Sequence, residues 1–134
     1  MRYSSDTGRR YFFFIDLLRK DDGVLSCYSE YERQGVALFT TGITALELYK
    51  GAFLSGNSKN VIKLRTILEL FIMIPIDEHV YEVFGRLAAN VSRNGTSIGD
   101  FDDVIAAITL CNGKEIITHD RHFEKIPDIH VISY

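Results

Sequence analysis

Apolar residues along this chain fall into short blocks whose spacing changes between strand-like and helical. Val36-Ala37-Leu38-Phe39-Thr40 reads as a buried strand. Phe71-Ile72-Met73-Ile74, Glu115-Ile116-Ile117-Thr118 and a final His130–Ser133 read as further short strands. The spacing between them is helical. Val24–Gln34 predicts a helix stopped by Gly35, Ala45–Leu54 a second, and Val61–Leu70 a third through Val61, Leu64, Ile67 and Leu68. Asp77 is placed to cap a helix running to about Ser92, with Val80, Val83, Phe84, Leu87 and Val91 on one face. Asp102–Asn112 predicts another, closed by Asn112-Gly113. The stretch Tyr11–Leu18 is strongly apolar but matches neither period. Strands alternating with helices predict an α/β fold of three layers, α/β/α, around a central and mostly parallel sheet of about five strands.

Composition narrows this picture without redirecting it. The 134 residues fit one domain spanning 1–134, with enough apolar content (46%) to build a core unaided. A net charge of −3 excludes a protein coated in basic residues for bulk nucleic-acid binding, although bound cations can offset clustered acids locally. Cys27 and Cys111 form no CxxC pair, so reduced thiols and a cytoplasmic location are expected. His119 and His122 lie close together, but two histidines alone do not make a structural metal site. No apolar run approaches the roughly 18 residues of a membrane span, and Met1–Asp6 lacks an apolar signal-peptide core.

Candidate chemistry lies in acids placed next to these elements. Asp120 follows the strand Glu115–Thr118, Asp102 opens a helix, Glu47 lies early in the helix after Val36–Thr40, and Asp6 stands at the front of the chain. Ligands of open parallel sheets collect at the carboxyl ends of the strands, where such acids can converge. Each has a structural explanation as well. Glu47 completes Thr44-Ala45-Leu46-Glu47, which has the form of a capping box. Asp100 and Asp102 suit a helix N-terminus, Asp120 suits a turn, and Asp6 suits a solvated end of chain.

Their neighbours decide between these explanations. Ile43-Thr44-Ala45-Leu46-Glu47-Leu48-Tyr49-Lys50-Gly51-Ala52, Ile98-Gly99-Asp100-Phe101-Asp102-Asp103-Val104-Ile105-Ala106-Ala107 and Ile116-Ile117-Thr118-His119-Asp120-Arg121-His122-Phe123 resemble, in order and spacing, the acidic motifs of PIN-domain nucleases. The likeness is to the VapC-type toxins of prokaryotic toxin–antitoxin pairs in particular. The family begins with an apolar strand running into Asp-Thr and continues to something like Ile-Asp-Leu-Leu-Arg. Both Asp6-Thr7 and Ile15-Asp16-Leu17-Leu18-Arg19 are present, separated by an unusual Gly8-Arg9-Arg10-Tyr11. Two frames are therefore open. Asp6 is the preferred first acid, because the distance to Val36–Thr40 then suits two intervening helices. The alternative makes Tyr11–Ile15 the first strand and Asp16 its terminal acid.

The resemblance implies a PIN-like fold and a divalent-metal-dependent endoribonuclease. Asp6, Glu47, Asp102 and Asp120 would hold Mg²⁺ or Mn²⁺, with Asp100 as an outer ligand or helix cap. Hard cations prefer such oxygen ligands, and crowded carboxylates repel one another without one. A cation-activated water would then hydrolyse the phosphodiester directly. The resemblance also implies an RNA substrate, a cognate antitoxin and a homodimer. Thr118 would hydrogen-bond near the metal, Phe123 would anchor its loop in the core, and Lys50, Arg65, Arg86, Arg93, Lys114 and Arg121 read as ordinary solvated cations. The alternative function is a catalytically inactive PIN-like binding module with a degenerate first acidic motif. A phosphate-accepting receiver domain fits poorly, because its third strand should end in an acid and the third candidate here ends Ile74-Pro75-Ile76.

Overall fold

The computed structural model describes residues 12–16, 22–95 and 99–134. Asp6, Leu17-Leu18-Arg19 and Ile98 lie outside them. Five strands, β1 (Phe12–Phe14), β2 (Leu38–Thr41), β3 (Ile72–Ile74), β4 (Glu115–Ile117) and β5 (His130–Ile132), form one sheet in the order β3-β2-β1-β4-β5. Every pairing is parallel. Five helices connect them: α1 (Asp22–Arg33), α2 (Gly42–Leu54), α3 (Ser58–Leu68), α4 (Glu78–Asn94) and α5 (Asp100–Cys111). A 3-10 helix, Arg121–Lys125, links β4 to β5.

The first strand lies where the alternative frame put it. Three consecutive phenylalanines, Phe12, Phe13 and Phe14, are all buried, because β1 is the middle strand and both of its faces are covered. Side chains alternate across the sheet. Phe13, Phe39 and Ile116 pack into one core with Val80 and Val91 of α4 and Ile105 and Ile108 of α5. Phe12, Phe14, Leu38 and Ile117 pack on the other face against Tyr28 and Tyr31 of α1 and Ile67 and Leu68 of α3. These two cores on opposite faces are the expected three layers. A single helix, α1, connects β1 to β2 among the described residues, so the space held open for two helices is not needed.

Every helix end falls within about three residues of where the sequence puts it. Asp77 accepts a hydrogen bond from the Val80 amide at 3.1 Å and caps α4. Gly35, just past α1, has φ +71, a left-handed conformation that costs a glycine nothing. The start of α2 differs from expectation. Its cap is Thr41, whose Oγ1 accepts from the Thr44 amide at 3.0 Å. Thr44 is inside the helix, so Glu47 is no capping-box partner and the structural explanation for that acid falls away.

Candidate active site

The strand order places a switch point at the carboxyl ends of β1 and β4. From β1 the chain leaves toward β2 on one side, while β4 opens the other half of the sheet. Connections diverge there and leave a crevice. Asp16 follows β1, Asp120 follows β4 and caps the 3-10 helix, Glu47 projects from α2, and Asp102 lies in the first turn of α5. All four line one cleft of about 180 Å³, together with Ile15, Thr44, Leu48 and Ile105. A larger cleft of about 790 Å³, around Tyr31, Val36, Ala37 and the start of β1, has no acid in its lining. The acids gather in the smaller one.

Among the described residues, three donors fix Asp16. The Thr118 hydroxyl donates to Oδ1 at 2.9 Å, the His119 amide to Oδ2 at 2.7 Å, and the Tyr134 hydroxyl to Oδ2 at 2.8 Å. Thr118 Oγ1 also accepts from the Asp120 amide at 2.9 Å, so one buried threonine ties both strand-end acids together. Asp120 Oδ1 accepts from the His122 amide at 2.9 Å and lies 3.1 Å from His122 Nδ1. Asp102, Asp120 and His122 each present a ligand atom within 4.8 Å of one another. In the sequence, His122 was weighed only beside His119 and was not counted among the site residues. Its signal was the i, i+2 spacing from Asp120 on a tight 3-10 turn, which is visible only once the turn type is known.

Asp100 is exposed at the start of α5 and does not line the cleft; Gly99 occupies the cap position without a side-chain bond. Asp6 lies outside the described residues. Phe123 is fully buried and anchors the loop after β4. Arg86 is engaged with Glu82 at 2.9 Å on α4.

Crowding of like charge marks the cleft electrostatically. Burial of its carboxyl group, then Asp102 and Asp120, raises the pKa of Glu47, although much of that residue faces solvent. Burial, then Asp120, raises that of Asp102, with His122 acting in the opposite direction. Asp103, directly behind, is buried with Oδ1 lacking a hydrogen-bond partner, and burial, then Asp100, raises its pKa as well. Each of these groups binds its proton more tightly folded than unfolded. Their contribution to stability is therefore present below the ordinary carboxylate pKa of about 4 and is lost as pH rises through the raised values. In chelator, the melting temperature of wild type should fall relative to Asp102→Asn as pH rises from about 4 to about 7. A difference that stays constant across that range would show that the repulsion is absent.

The PIN domain family matches residues 13–129. The chain belongs to the PIN-domain family. It is 28% identical over 93 residues to the tRNA(fMet)-specific endonuclease VapC of Salmonella typhimurium, covering 68% of this chain and 70% of that protein. Its fold is similar to VapBC2 of Rickettsia felis, solved with a DNA fragment from its promoter, with a TM-score of 0.79 at 17% identity over 92% of this chain and 98% of the other. It is also similar to the DNA-bound VapBC of Salmonella typhimurium, with a TM-score of 0.77 at 19% identity over 93% and 98%. As a PIN domain, the chain matches its family from within β1 onward, a span that contains Asp16 and begins after Asp6. Among the described residues no helix is long and apolar enough to cross a membrane.

Proposed function

We propose that this PIN domain is a divalent-cation-dependent endoribonuclease, the VapC-type toxin of a toxin–antitoxin pair, with Asp16, Glu47, Asp102 and Asp120 as its acids. The observation that carries this reading is the convergence of four carboxylates from four separate elements in one cleft at the switch point. Among the described residues, no lysine or arginine lines that cleft. Stability does not account for the arrangement, since burial first and the neighbouring acids second raise the pKa of Glu47 and Asp102. The donor set is oxygen-rich with one imidazole at its edge, which suits Mg²⁺ or Mn²⁺. A bound cation would supply Lewis acidity and an activated water.

The chain's own groups do the rest. Thr118, the His119 amide and Tyr134 hold Asp16 in one orientation, and the Asp120 amide is anchored on Thr118. Ile15, Leu48 and Ile105 give the cleft apolar walls, which strengthen every electrostatic contact within it. RNA as substrate follows the name of the Salmonella relative, and an antitoxin partner follows the VapBC complexes. Apolar surface for an antitoxin and for a homodimer is present on α2 and α3, where Phe53, Leu54 and Ile62 are more than half exposed.

Cleavage of an RNA pool tests the reading. Activity should appear with Mn²⁺ or Mg²⁺, vanish in excess chelator and return when the cation is restored. A folded protein that neither cleaves RNA nor binds Mn²⁺ would be the inactive binding module instead.

A further inference from the structure

Tyr134 lies two residues beyond β5, an edge strand, yet its hydroxyl reaches the acid that follows the central strand β1. Its ring rests on Phe14 with centroids 5.6 Å apart and on His119 at 3.8 Å, so packing on both sides fixes where the hydroxyl points. The other two donors to Asp16, the Thr118 hydroxyl and the His119 amide, follow β4, the strand paired directly with β1. Tyr134 comes from one strand further out and takes the same oxygen, Oδ2, as the His119 amide. A neutral hydroxyl at 2.8 Å from a carboxylate oxygen orients it without competing for the cation by charge. Partners of this kind hold a ligand in the geometry that the metal requires, and their loss typically costs 10–100-fold in metal affinity or activity.

We infer that Tyr134 is a positioning residue for the cation site, holding the Asp16 carboxylate in its metal-ready orientation. The inference rests on the cation-dependent reading above. Tyr134→Phe keeps the ring, and with it the contacts to Phe14 and His119, and removes only the hydroxyl. Asp16 keeps at least the Thr118 hydroxyl and the His119 amide as donors, so the effect should sit at the low end of that range. Mn²⁺ binding to the metal-free protein, measured by calorimetric titration, should weaken about 10-fold. The Mn²⁺ concentration for half-maximal cleavage should rise by a similar factor, the KM for RNA should stay unchanged, and activity should recover at saturating Mn²⁺. The melting temperature without metal should match wild type.

A Tyr134→Phe isotherm that coincides with wild type overturns the inference. So does weaker binding accompanied by a lowered melting temperature without metal, because the tyrosine would then support the fold and not the site. If wild type itself takes up no Mn²⁺, the cation site fails first and this inference falls with it. The wild-type titration therefore separates the two failures.

Discussion

Asp102→Asn is expected to lower Mn²⁺-dependent RNA cleavage by at least about 100-fold, while the metal-free variant melts at or above the wild-type temperature. An amide has nearly the shape of the carboxylate but not its charge. It is a poor ligand for a hard cation, so cleavage suffers. It also ends the repulsion that Asp102 exerts on Glu47 and receives from Asp120, so the empty cleft relaxes. Loss of activity with retained stability is the signature of a residue kept for chemistry. The check is a cleavage rate beside a melting curve with and without Mn²⁺. Wild type should be stabilised by the ion, and Asp102→Asn should not be at the same concentration. Full activity in this variant would remove the mechanism.

The second large effect concerns the first acid. Asp16→Ala should abolish cleavage to a similar degree, and Asp6→Ala should retain near wild-type activity. Asp16 stands in the cleft and accepts hydrogen bonds from Thr118, His119 and Tyr134. Its removal takes away a ligand and leaves those donors without their acceptor, one of them the hydroxyl of buried Thr118. Both variants should be assayed side by side on one RNA pool in Mn²⁺, with melting curves to show that each is folded. The reverse result, an active Asp16→Ala and a dead Asp6→Ala, would return the role to Asp6.

The first strand was the element least legible in the sequence. A strand buried on both faces loses the alternation that marks a half-exposed one. Phe12-Phe13-Phe14 thus gave no period, and the Asp6-Thr7 pair drew the frame toward the front of the chain. Helices α1, α3 and α4 gave stronger signals because each keeps a solvent face, and they were legible from spacing and from Gly35 and Asp77 at their ends. Glu47, Asp102 and Asp120 were legible because each sits in a short motif whose neighbours are fixed by local structure, such as the Thr118-x-Asp120 turn. Tyr134 was not. Its bond to Asp16 spans 118 positions and leaves no trace in local sequence. The capping reading of Thr44 failed for the opposite reason. Thr41 and Thr44 are both plausible caps by type, and only the helix start decides between them.

Asp16 and Thr118 meet across a separation of 102 residues, through the parallel pairing of β1 with β4. Contacts so distant along the chain form late, since closing a long loop costs entropy before the pairing repays it. During synthesis, a nascent chain that has emerged only as far as β3 carries Asp16 and Glu47 but neither α5 nor β4. A half-made molecule therefore cannot assemble the cleft. The topology thus sets an order of assembly, in which the cleft closes only once nearly all of this domain is available to fold.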